Sequence, residues 1–128
     1  MTKPLLMVVD DDHEMLSLVE EVGKLVGYKV EALNSAAQFQ VAWAENPPSV
    51  IVMDIVMPDM DGYELLIWLA ERKCCTPIIL ISGYDGKYLD LAERLGAAYG
   101  RSIIGMLTKP FEVEELENLL KEAITPPE

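Results

Sequence analysis

Five short apolar runs, each followed by an amphipathic stretch, constrain the fold of this chain more than any other feature. The runs are Leu5 to Val9, Lys29 to Leu33, Val50 to Met53, Ile78 to Ile81 and Ile103 to Leu107, all of strand length. They are mostly apolar throughout, as strands covered on both faces must be, and they predict a parallel sheet. Between and after them, apolar residues recur at helical spacing. Met15, Leu18, Val22 and Leu25 mark one stripe, Ala36, Phe39 and Trp43 a second, and Leu65, Leu66 and Leu69 a third. Tyr88, Leu91, Leu95 and Ala98 mark a fourth, and Val113, Leu116, Leu120 and Ile124 a fifth. Strand and helix in strict alternation predict an α/β fold, a single doubly wound (βα)5 domain around a five-stranded parallel sheet. With 128 residues, 51% of them apolar, the chain suits one core that needs no disulfide or metal staple. Pro47-Pro48 separates the second helix from the third strand, and Thr125-Pro126-Pro127 stops the last helix. The expected domain is therefore 1–124, with 125–128 as a tail or the start of a linker.

Charge narrows the function. Ten Lys and Arg residues against twenty-two Asp and Glu leave a net charge of −12. Such a field repels phosphate backbones and anionic lipid, so direct binding to nucleic acid or membrane is not expected. The cysteines, Cys74 and Cys75, are adjacent and supply neither a disulfide framework nor zinc-site spacing, which fits a reducing, cytoplasmic setting. The apolar run after Lys3 is too short for a signal-peptide core.

The acids are placed by the strands. Asp10, Asp11 and Asp12 follow the first strand directly, and Asp54 follows the third. In an open α/β sheet, ligands bind beyond the carboxyl ends of the strands where the winding reverses, which here lies between strands one and three. Carboxylates gathered in one cleft repel one another unless a cation neutralises them, and an all-oxygen, partly hydrated site suits Mg2+. The fourth strand runs into Ser82-Gly83 and the fifth into Thr108-Lys109-Pro110-Phe111, adding a hydroxyl and a positive charge. Carboxylate, metal, hydroxyl and ammonium together describe phosphoryl transfer, with an aspartate able to act as nucleophile.

These residues resemble the receiver domains of two-component response regulators. The resemblance spans essentially the whole chain and rests on Val8-Val9-Asp10-Asp11-Asp12, on Met53-Asp54-Ile55-Val56-Met57-Pro58-Asp59-Met60-Asp61-Gly62, on Ile81-Ser82-Gly83 and on Thr108-Lys109-Pro110-Phe111. It implies a flavodoxin-like strand order 2-1-3-4-5. It implies Asp54 as the phosphorylated aspartate, with Asp10, Asp11, Asp54 and the carbonyl of Val56 holding Mg2+. Lys109 would pair with Asp54 and then with the phosphoryl oxygens, and Ser82 would turn its hydroxyl toward them, with the Lys109-Pro110 bond cis. The implied partners are a histidine kinase or phosphotransfer protein and a downstream output domain or partner protein, in a phosphorelay. The aspartyl phosphate would alter the face formed by the fourth helix, fifth strand and fifth helix, through which a homodimer is a further expectation. The domain would be a signalling phosphoacceptor that assists its own phosphotransfer and dephosphorylation, rather than an enzyme.

Two departures from the family pattern bear on output. Met106 stands where receivers commonly carry a Tyr or Phe that turns inward on activation. Ser82 and Lys109 are several residues further apart than usual, with the extra length around Gly96 to Ser102, a variant that resembles receivers joined to cyclic-di-GMP phosphodiesterase domains. Val56 and Tyr84 lie where the family tunes access of hydrolytic water, and neither is acidic or amide-bearing, so slow self-dephosphorylation is expected.

Plainer roles compete for single residues. Asp12 either joins the acids or caps the first helix. Asp59 and Asp61 read as loop and cap residues, His13 as a surface residue, Cys74 and Cys75 as a helix end, and Trp43, Trp68 and Tyr99 as packing. Two other functions stay open. One is a haloacid-dehalogenase-type phosphatase with Asp10 and Asp12 as its paired acids, and the other is an interaction module that is never phosphorylated.

Overall fold

A computed structural model of the chain describes residues 3–55, 62–72, 75–83 and 103–124. Five strands, β1 (Leu5–Val9), β2 (Lys29–Leu33), β3 (Val50–Asp54), β4 (Ile78–Ser82) and β5 (Ile103–Thr108), form one parallel sheet in the order β2-β1-β3-β4-β5. The helices are α1 (His13–Val26), α2 (Ala36–Glu45), α3 (Gly62–Glu71) and α4 (Val113–Ile124). The helix expected over Tyr88 to Ala98 lies outside the described residues, so α4 here is the last of the five apolar stripes. This is the flavodoxin-like doubly wound fold that the apolar runs and the resemblance together predicted.

The sheet separates two apolar layers because successive strand residues face opposite ways. Met7, Val9, Ile51, Met53 and Leu80 pack with Phe39 of α2 and with Leu65 and Leu69 of α3. Leu6, Val8, Val52, Ile79 and Ile81 pack with Val19 of α1 and with Leu116 and Leu120 of α4. β3 and β4 are buried along their whole length and β1 from Leu6 onward, which is why the three central strands read as continuous apolar runs. On the α2/α3 side, the Trp43 and Trp68 rings meet edge to face at 5.3 Å, and the Arg72 guanidinium lies 3.8 Å over the Trp68 ring.

The edges depart from the expectation of strands covered on both faces. β2 carries exposed Lys29 and Ala32, and β5 leaves Ile104 and Met106 more than a third exposed. Each is an outer strand with a neighbour on one side, and a register irregularity opposite Ile78/Ile79 leaves Ile104 outside the regular pairing. The stripe expected on α1 is also rotated. Leu25 is 82% exposed, and the buried line runs through Leu16, Val19, Val22 and Gly23. The cause is Gly23, where a Cβ would lie 2.7 Å from Leu6 Cδ2 and 2.9 Å from Val30 Cγ2, so the helix presses its bare backbone against the sheet.

Helix ends bring the site into position. Asp12 caps α1, its carboxylate accepting from the Glu14 N–H at 3.0 Å. Gly27, at φ 118°, closes α1 with its N–H shared between the Gly23 and Lys24 carbonyls. Strand registers pairing Val9 with Met53 and Asp54 with Ile81 then bring the carboxyl ends of β1, β3 and β4 level with one another.

Candidate functional site

Asp10 follows β1, Asp54 ends β3, Ser82 ends β4 and Lys109 follows β5, so four polar side chains meet at one edge of an otherwise apolar sheet. The main chain fixes them there. The Asp10 N–H donates to the Leu33 carbonyl at 3.1 Å, Ile55 N–H to Ile81 carbonyl at 3.0 Å, and Lys109 N–H to Ser82 carbonyl at 2.8 Å. The Lys109-Pro110 peptide is cis.

Carboxylate oxygens of Asp10, Asp11 and Asp54 lie within 4.8 Å of one another. Asp10 is 1% exposed and Asp54 5%, while Asp11 faces solvent. The Lys109 ammonium is 3.5 Å from Asp54 Oδ2, which it hydrogen-bonds, and 3.7 Å from Asp10 Oδ2. Asp10 Oδ1 accepts from the Asp12 N–H at 2.9 Å, but its buried Oδ2 accepts no hydrogen bond. Burial is the main cause that pushes the Asp10 carboxyl up to about 7. The Asp12 N–H and Lys109 oppose that shift and Asp54 adds to it. For Lys109, burial works against the charge, but Asp10 and Asp54 outweigh it and hold the ammonium above its ordinary range.

A small hard cation suits this arrangement. It would find two buried acids and one exposed acid within reach of a single point, and the Asp10 oxygen now without a hydrogen bond would gain a ligand. An exposed acid on the rim leaves room for metal-bound water.

Of the residues expected from sequence, Asp10, Asp11, Asp54 and Lys109 come together. Ser82 lies at the same edge, buried, with its hydroxyl donating to the Gly83 carbonyl at 3.4 Å. Asp12 is the helix cap, and the cluster takes Asp11 instead, which removes the paired-acid arrangement a dehalogenase-type phosphatase would need. His13 opens α1 as an exposed residue. Val56, Asp59, Asp61, Cys74, Tyr84 and Tyr99 lie outside the described residues. Sequence reasoning missed the Asp12 N–H, which orients Asp10. It is a main-chain group, and no side-chain pattern signals it.

Comparison with known proteins agrees with this geometry. The family model of the response regulator receiver domain matches residues 6–121. The chain is 34% identical over 118 residues to the C4-dicarboxylate transport transcriptional regulatory protein DctD of Pseudomonas aeruginosa, covering 92% of this chain and 24% of DctD. It is 30% identical over 125 residues to the DNA-binding transcriptional regulator NtrC of Escherichia coli, covering 98% of this chain and 26% of NtrC. Full-length FixJ from B. japonicum superposes with a TM-score of 0.83 at 29% identity, over 97% of this chain and 59% of FixJ. The receiver domain of NtrX from Brucella abortus shares the fold, with a TM-score of 0.82 at 23% identity, over 93% of this chain and 97% of that one. The chain belongs to the response regulator receiver domain family, whose role is that of a two-component phosphoacceptor. A phosphatase and a phosphorylation-independent module are not favoured. The chain spans about a quarter of the length of DctD and NtrC. Among the described residues, no helix is long and apolar enough to cross a membrane.

Proposed function

We propose that Asp54 is the phosphoacceptor, that Asp10, Asp11 and Asp54 hold Mg2+ together with the Val56 carbonyl, and that Lys109 and Ser82 bind the oxygens of the transferred phosphoryl group. The observation that carries this reading is the meeting of three carboxylates within 4.8 Å beside a lysine 3.5 Å from Asp54. An Asp54 oxygen attacks phosphorus and forms the O–P bond, while the P–N bond to a donor histidine breaks and its electron pair returns to the imidazole. Bound Mg2+ would screen the charge on the transferring oxygens. Lys109 balances the charge that remains, and the Ser82 hydroxyl leaves the Gly83 carbonyl to bond a phosphoryl oxygen. The new charge of roughly −1.5 to −2 then biases the segment after β4.

The donor would be a histidine kinase or phosphotransfer protein in the cytoplasm. Residues 1–124 form the receiver unit, with 125–128 leading out of it. The named roles of DctD and NtrC support an output in transcription over a cyclic-di-GMP phosphodiesterase, and a second copy of the receiver is a candidate partner for the switched face. Intact-mass measurement after incubation with Mg2+ and acetyl phosphate tests the site. One phosphoryl group is expected on the wild type and none on Asp54→Ala, whereas equal labelling of both would overturn it. The phosphorylated form should persist, because Val56 cannot orient a water. Val56→Asn should shorten its lifetime several-fold in the same assay.

A further inference from the structure

A cavity of about 970 Å3 lies at the opposite end of the sheet from the acids. A smaller one of about 410 Å3 adjoins it. Lys3, ahead of β1, Lys24, in the last turn of α1, and Lys29, which opens β2, all line the larger. Main-chain pairing holds two of them together, because Leu5 and Lys29 are in register and the Lys29 N–H donates to the Pro4 carbonyl at 2.9 Å.

Three of ten cationic residues in a chain of net charge −12 thus converge on one hollow. In so acidic a chain a lysine has many possible partners, yet Lys3 and Lys29 form no ion pair among the described residues. Lys24 reaches only Glu20, at 3.9 Å and in solvent, a contact worth little. Glu31 and Glu45 line a smaller adjoining hollow that Lys29 shares, and so bound the positive region on the α2 side. Pro4 and Leu5 give the cavity apolar surface, while Asn46 and Ser49 add an amide and a hydroxyl. Tyr28 contributes a fixed wall, its hydroxyl donating to the Leu120 carbonyl of α4 at 2.8 Å.

We propose that this cavity binds a small polyanion carrying two or more phosphate or carboxylate groups. Three ammonium groups, an amide and a hydroxyl match several oxyanion groups on one compact molecule, and the volume is that of a small-molecule site. A long polyanion is disfavoured, since beyond the three lysines it would lie against acidic surface. Bound ligand would bridge α1, β1 and β2 beside the Tyr28 contact to α4.

Nitrogen-15 amide spectra of the metal-free protein, titrated with inorganic tripolyphosphate and separately with citrate, test this. Saturable shifts are expected at Lys3, Lys24, Lys29, Asn46 and Ser49 with at least one probe, and the stronger probe assigns the ligand to phosphates or carboxylates. The double variant Lys3→Gln/Lys29→Gln should weaken binding about tenfold or more, and Lys3→Arg/Lys29→Arg should retain it. Lys121→Gln, on α4, should bind as the wild type does. No saturable shift with either probe, shifts centred on Lys109, or equal binding by the glutamine variant would overturn the proposal. All three lysines are exposed, so a folded spectrum of each variant is the expected control.

Discussion

Asp10 has a buried carboxylate oxygen that accepts no hydrogen bond, and the Lys109 ammonium 3.7 Å away offsets only part of what burial costs its charge. Its carboxyl titrates near 7 in the folded chain against an ordinary value of 3.8, which means the folded state holds that proton more tightly. Stability from this group is complete below 3.8 and is lost as pH rises through about 7. The metal-free protein should therefore melt at a lower temperature in mild alkali than in mild acid, and added Mg2+ should restore more stability on the alkaline side. Asp10→Asn should raise metal-free stability in alkali by roughly 1 kcal/mol and abolish the Mg2+ effect, both read by thermal melts. Sequence made Asp10, Asp54 and Lys109 legible as a set, because acids after the first and third apolar runs and a lysine after the fifth come in the order that receiver domains carry, whereas each taken alone reads as an ordinary surface residue. The resemblance put Asp11 with the metal-binding acids and left Asp12 between that cluster and a cap on α1, and the start of α1 at His13 makes Asp12 the cap. The direction of the Ser82 hydroxyl was hidden, because a side-chain rotation leaves no trace in residue order.

The elements carry a different lesson, visible at β5 and α4. Gly105 has no room for a side chain, because a Cβ there would sit 2.6 Å from both Leu119 methyl carbons, so α4 packs closely just before the strand delivers Lys109. Gly105→Val should cost about 1–3 kcal/mol in chemical denaturation, and Leu119→Ala should recover part of that loss when the two are combined. Strand positions were readable because burial on both faces writes itself as unbroken apolar runs. The exposure of the outer strands, whose positions were read correctly, and the turn of the α1 stripe were not, for reasons that lie between elements. An edge strand becomes one only when the sheet order is fixed, and α1 turns Leu25 outward only because Gly23 can touch Leu6 and Val30.

At the scale of the whole molecule, charge and topology divide the work. The acids gather where the winding reverses, whereas three lysines gather at the opposite end of the sheet, so a net −12 hides a separation of sign along the strands. Contacts with DNA in a longer regulator would have to come from outside this domain. The isolated chain should show no binding to duplex DNA at physiological salt tighter than about 0.1 mM by fluorescence anisotropy. The only two tryptophans, Trp43 and Trp68, sit late in helices that begin at the acidic end, meeting edge to face away from Asp10 and Asp54. Their emission will track the melting of the α2/α3 layer and stay nearly silent when the acids bind a cation. The molecule thus carries an intrinsic optical gauge of its scaffold that leaves its switch unobserved.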